Sequence, residues 1–226
     1  KTMTKLYKLT DEQGRTRAGE NNELTWAVGV EHKTAGTGTR LCTADVIHAY
    51  EHPLIAVLMN PVHAMFNPAT MRLFVAEGEI VARDAFNCGV HSLKITEEIS
   101  IPTLPLEFMV LLAIWAARHT CLDDSWNQWA ENWLNNQNRS EKAAAGALDV
   151  SIKSSASAYA AEAACLFGKI CELPSHESEH WAVSPSFFAA QAVAESLLHS
   201  RFKAAQIAEV VEQEINALCG AGEWPC

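Results

Sequence analysis

The sequence predicts an α+β chain: a small, mixed or antiparallel β-rich module over residues 1–102, then an α-helical bundle over residues 103–226. Three observations predict it. The front of the chain is built of short segments with β-branched or alternating character, separated by Gly, Asn and Pro turns. "IPTLPLEF" then sets two prolines where a strand must stop and a helix can open. Ala-, Leu- and Trp-rich stretches with helical spacing follow. With 226 residues, 49% of them hydrophobic, there is enough apolar side chain for a packed core.

The elements follow in order. "KLYKLT" reads as a strand, "DEQG" as a turn and "TAGTGTR" as a flexible Gly/Thr loop. "DVIHAY" is a strand running into a short helix, "HPLIAVLMN", with Pro53 near its start, where the missing N–H costs least. The two Asn-Pro steps of "NPVHAMFNPA" are expected to stop that helix. "MRLFVAEGEIVA" and "SLKITEEISI" are strands, and alternation in the first puts Leu73, Val75, Glu77 and Glu79 on one face, two carboxylates together.

Behind Pro105, "LEFMVLLAIWAARH" is apolar almost all round and reads as a buried helix. Asp124 is the expected N-cap of the next helix, in which Trp126, Trp129 and Trp133 share a face. The Ala/Ser-rich stretch from Ser140 to Lys169 suits a helix that packs closely on neighbours. A last amphipathic helix is expected from Ser184 as N-cap, with Pro185 at N1, to Gly220. It could close the bundle or form the seam of a homodimer.

Charge narrows the function classes. The net charge is −10, of which residues 1–102 carry −2 and residues 103–226 carry −8. No basic face for a phosphate backbone is visible, so direct nucleic-acid binding is not expected. An acidic helical half suits a solvated surface or a surface that meets a basic protein partner. No apolar run approaches the ~20 residues of a membrane-spanning helix, and "KTMTKLYK" lacks a signal-type apolar stretch. A cytoplasmic location with reduced cysteines is therefore expected.

Candidates for chemistry are few. Cys42, His48 and His52 have a C-x5-H-x3-H spacing, and "CGVH" adds Cys88 and His91, so potential zinc ligands exist in a weak pattern; the expectation is no metal. "HESEH" at 176–180 lacks the two-histidine helical pattern of zinc proteases. Neither a phosphate loop nor a Gly-x-Ser-x-Gly elbow is present.

The stretches "LYKLTDEQGRTR", "LCTADVIHAYEHPLIAVLMNP" and "RLFVAEGEI", with the Trp/Ala-rich tail, resemble an uncharacterised family of phage and prophage accessory proteins. That resemblance implies a phage-associated origin and no particular reaction. The order Tyr7, Arg40, His48, Tyr50 and then Glu77-Gly78-Glu79 is similar to ADP-ribosyltransferase-like folds. The family's hydroxyl residue after the histidine and its Ser-Thr-Ser strand are missing here. This second resemblance implies NAD as cofactor, with Tyr7 and Arg40 binding it. His48, Tyr50, Glu77 and Glu79 would be the catalytic group, Glu79 stabilising the ribosyl cation.

Two function classes are expected from these readings. The first is a cofactor-free protein that binds a host protein or complex, such as a defence or DNA-processing assembly, with Trp126, Trp129, Trp133, Glu209, Glu212 and Glu214 as contact candidates. The second is the NAD-using enzyme. An oligomeric scaffold built on the last helix is a third.

Overall fold

Alternation in the front segments becomes three sheets, all of whose paired strands are antiparallel. The computed structural model describes residues 2–84, 86–151, 155–172 and 183–199. These divide into two compact units between Thr103 and Leu104. The chain is α+β, with the strands and one helix in the first unit and the other described helices in the second.

In the first unit, β1 (Thr4–Thr10), β6 (Arg72–Gly78), β9 (Ser92–Ile99) and β4 (Glu31–Lys33) form a sheet in the order β1-β6-β9-β4. A second sheet runs β5 (Ile47–Ala49), β8 (Cys88–Val90), β7 (Ile80–Arg83), and β2 (Arg15–Thr16) pairs with β3 (Leu24–Thr25). Two of the crossings between the larger sheets take a single residue each, Glu79 from β6 to β7 and His91 from β8 to β9. Gly78 makes that corner possible: a Cβ there would lie 2.9 Å from the Ser92 carbonyl and 3.0 Å from Val90 Cγ1. A backbone bridge, Tyr7 N to Tyr50 O at 2.8 Å and Tyr50 N to Tyr7 O at 2.9 Å, ties the end of β5 to β1. Leu6, Phe74, Ala76, Leu93 and Ile95 from one sheet join Ile47, Ala49, Cys88, Val90 and Trp26 in the core.

The corner overturns one expectation. β6 ends at Gly78, so Glu79 leaves the alternation and the two carboxylates do not share a strand face. Glu77 is exposed and stands in register with Lys5 on one side and Lys94 on the other, a row of alternating charge.

Helix α1 (Pro53–His63) lies against β1. His52 caps it, its Nδ1 accepting from the Leu54 N–H at 3.2 Å. The helix runs past Asn60-Pro61, further than the Asn-Pro steps suggest. Pro61 falls in the last turn, and buried Asn60 clamps Phe66 by donating to its carbonyl (2.9 Å) and accepting from its N–H (3.1 Å).

The second unit holds α2 (Leu106–Arg118), α3 (Asp124–Leu134), α4 (Glu141–Val150), α5 (Ser155–Glu172) and α6 (Val183–His199). α5 packs on α2, α4 and α6; α2 also meets α6 and α3, and α3 meets α4. Asp123, not Asp124, caps α3, its carboxylate accepting from the Trp126 N–H at 3.0 Å. The Ala/Ser-rich stretch is two helices: α4, capped by Ser140, ends at Ser151 before α5 begins. Gly168 lets α5 approach α4, since a Cβ there would sit 3.0 Å from the Glu141 amide nitrogen. α6 starts ahead of Ser184, which is therefore not its N-cap. Its expected continuation to Gly220, with Glu209, Glu212 and Glu214, lies outside the described residues, as does "HESEH".

The tryptophan stripe faces inward. Trp126 and Trp133 have no exposed surface and Trp129 keeps 8%. Trp126 packs edge-on to Trp129, Trp133 edge-on to Phe167, and the Arg139 guanidinium lies over Trp133 at 4.3 Å. As partner contacts the rings are thus corrected: the indoles of Trp126 and Trp133 belong to the interior of the helical unit, and only Trp129 reaches its surface.

Candidate functional site

In the β-rich unit the polar residues gather where β5 meets β1. The bridge puts Tyr7 beside Tyr50, and His48 lies two residues before Tyr50. His48 Nε2 accepts from the Cys42 N–H at 2.9 Å, which leaves the proton of the neutral ring on Nδ1. Burial holds the His48 pKa below its ordinary value, and the positive charges of Lys8 and His63 push the same way. The Tyr50 hydroxyl shares a hydrogen bond with His63 Nδ1 at 3.0 Å, at the last turn of α1. Burial raises the Tyr50 pKa and lowers that of His63.

The remaining expected residues are dispersed among structural tasks. Arg40 and Cys42 are exposed on the loop before β5, Arg40 accepting from the Thr43 hydroxyl through its carbonyl, and Cys42 has φ 59°. Cys88 is buried; its thiol donates to the Ala49 carbonyl at 3.5 Å, and burial pushes its pKa up to about 12. His91 Nε2 donates to the Gly38 carbonyl at 2.8 Å. His52 caps α1. Among the described residues no three His, Cys, Asp or Glu side chains converge as metal ligands. Gly36 and Gly38 are needed because the Asp45 carboxylate occupies the space of their side chains, 1.9 and 2.1 Å from where a Cβ would be. The Gly/Thr loop is thus folded around Asp45.

The expectations from sequence passed over Lys8. Leu6, Lys8 and Thr10 share the inward face of β1, so a lysine among core positions was the available signal. Lys8 Nζ donates to the His48 carbonyl at 2.6 Å and stands over the Trp26 ring, 5.2 Å from its centroid. Lys8 keeps some exposed surface, yet its ammonium is set deep enough that burial lowers its pKa to about 8, with the positive charge of Arg17 adding to the effect.

The helical unit carries a groove of about 380 Å³ between α3 and α4. Ser125, Gln128, Trp129 and Asn132 recur at i, i+3, i+4 and i+7 on α3, and Ala143, Gly146, Ala147 and Val150 repeat that spacing on α4; Asn138 closes one end. Small residues make the α4 wall, and amides line the α3 wall. The indole N–H of Trp129 is buried with no hydrogen-bond partner among the described residues. At 100° per residue, Asp124 and Glu131 on α3 and Asp149 and Lys142 on α4 fall on the flanks of the groove, all four exposed. The flanks are therefore acidic on balance.

No protein-family model, curated protein or solved structure matches this chain. The architecture itself defines the class: an α+β chain of antiparallel sheets and packed helices. Among the described residues no helix is long and apolar enough to cross a membrane.

Proposed function

We propose that the protein is a phage-type accessory binding protein whose acidic helical unit seats on a host protein or complex and blocks its action, a defence or DNA-processing assembly being the expected kind of target. The observation that carries this reading is the α3–α4 groove, with its amide wall and its small-residue wall. Exposed amides suit the backbone of an extended peptide. The acidic flanks suit a basic segment and would steer its approach.

Gly146 provides the test, because open space surrounds the position of its missing Cβ. Gly146→Arg fills the groove without disturbing the helix, and arginine is the better helix former. Full-length tagged protein is used as bait in bacterial extract. The reading predicts capture that weakens as salt is raised and falls at least about tenfold with Gly146→Arg, as for a blocked interface centre. Capture indifferent to both would contradict it.

A second reading, NAD-dependent ADP-ribosyl transfer, is favoured by the adjacency of Tyr7, His48 and Tyr50. It predicts transfer of label from NAD to a protein in the extract, lost in Glu79→Gln.

A further inference from the structure

We propose that the open end of the α3–α4 groove takes an arginine or lysine side chain of the partner's extended segment between Asp124 and Asp149, while Gln128 and Asn132 hold that segment's main chain. The inference rests on the reading of the groove as a docking site and adds the kind of segment that fits it. The chain doubles back at the C-terminal end of α3: the Asn138 N–H donates to the Asn132 carbonyl at 3.3 Å, and Arg139 Nε donates to the Trp133 carbonyl at 2.9 Å. α4 starts there, at Glu141, and packs beside α3, so the two helices are antiparallel. The groove therefore has a closed end at Asn138 and an open end between Ser125 and Val150.

Charge is divided unevenly between the ends. Asp124 and Glu131 lie seven residues apart on α3, about 10 Å along its axis, and Lys142 and Asp149 are spaced likewise on α4. Antiparallel packing sets Glu131 with Lys142 at the closed end and Asp124 with Asp149 at the open one. Of the two ends, only the open one therefore brings two carboxylates together. Both are exposed, and neither forms an ion pair among the described residues. Asp149 is also set against its own helix: it stands in the last turn of α4, which carries no basic residue, where a carboxylate meets the negative end of the dipole. A cation supplied from outside relieves both.

The walls suit the rest of such a segment. Val150, 40% exposed in the groove beside Asp149, offers an apolar surface to the methylene stem that carries a guanidinium or ammonium group. Along α3, Gln128 Nε2 donates to Asn132 Oδ1 at 3.3 Å, which leaves Gln128 Oε1 to accept and Asn132 Nδ2 to donate. An acceptor and a donor side by side match the N–H and C=O of a peptide, a pairing that holds a main chain whatever its side chains. The small residues of α4 let that chain lie close, and nothing stands within 4 Å of where a Gly146 Cβ would be. The amides thus give retention, and the two carboxylates give selectivity for a basic side chain.

The test applies the tagged full chain to a positional library of octapeptides, one position fixed and the others mixed, and reads which residue is enriched at each fixed position. The proposal predicts enrichment of arginine and lysine and rejection of aspartate and glutamate. The basic preference is expected to fall about two- to fivefold in Asp124→Asn and in Asp149→Asn, the range of exposed ion pairs, and less in Glu131→Gln. Gln128→Ala, by contrast, weakens retention of all peptides alike. Both aspartates are exposed, and Asp149→Asn removes a carboxylate from an unfavourable helix end, so folded variants are available. A basic preference equal in wild type, Asp124→Asn and Asp149→Asn would overturn the inference, and so would the lack of any preference in wild type. In either case the groove itself still stands as the docking site if Gly146→Arg abolishes capture from extract. Retention of the library and capture from extract that are both indifferent to Gly146→Arg would remove the inference and the reading beneath it together.

Discussion

Lys8 and His48 place the same demand on pH. The His48 ring must stay neutral to accept the Cys42 N–H, and burial together with the charges of Lys8, His63 and Arg17 keeps it so; only Asp84 pulls the other way. His63 is likewise depressed by burial against the pull of Asp84, while hydrogen-bonded to Tyr50. For a histidine whose folded pKa lies below its unfolded value of about 6.5, stability is complete above that value and is lost as pH falls toward the folded pKa. Chemical denaturation is therefore expected to show a midpoint that declines below about pH 6.5, with a shallower decline in His48→Gln, which keeps an acceptor that does not titrate. Identical slopes would contradict this. For Lys8 the sign is the same by the same logic. Removing its charge in Lys8→Met is expected to raise stability near neutral pH, since a hydrophobic group of equal volume replaces a desolvated cation. A thermal midpoint lower than wild type would count against that. Lys8 was legible in the strand alternation, because a charged residue stood at a core position. The Tyr50–His63 pair was not, because it depends on α1 continuing through Pro61, which Asn60 makes possible through contacts with Phe66 that no local pattern reveals.

At the scale of elements, boundaries decide which faces are presented. Asp123 and Asp124 are both plausible caps in the sequence, and geometry selects Asp123 through its bond to the Trp126 amide. Asp123→Ala is expected to cost about 1 kcal/mol in a denaturation experiment and Asp124→Ala much less; equal costs would contradict the assignment. Glu77 and Glu79 show how a periodic reading fails. Alternation assumes an unbroken strand, and the glycine between the two carboxylates is where β6 ends and the chain turns into the other sheet. Any side chain at Gly78 must displace Ser92 or Val90, so Gly78→Val is expected to be strongly destabilising, by about 1–3 kcal/mol for overpacking alone, as read from the urea midpoint. The tryptophan period was equally visible, but a helix wheel records only that one face is aromatic. Which neighbour covers that face is set by α3 meeting α2 and α4.

For the whole molecule, composition revealed the class and charge asymmetry, and neither contained the groove. That feature arises because two helices with the same i, i+3, i+4, i+7 spacing face each other, one lined with amides and one with small residues, at positions far too separated for a single window to join. The proposed function puts the partner's docking site on the outer face of α3 and α4. Hydrogen exchange of the full chain, alone and saturated with the protein it captures, tests this most directly. Slowed exchange at amides along α3 and α4, with β1, β6 and β9 unchanged, is the predicted result. Protection confined to the β-rich unit, leaving α3 and α4 exchanging as in the free protein, would contradict it.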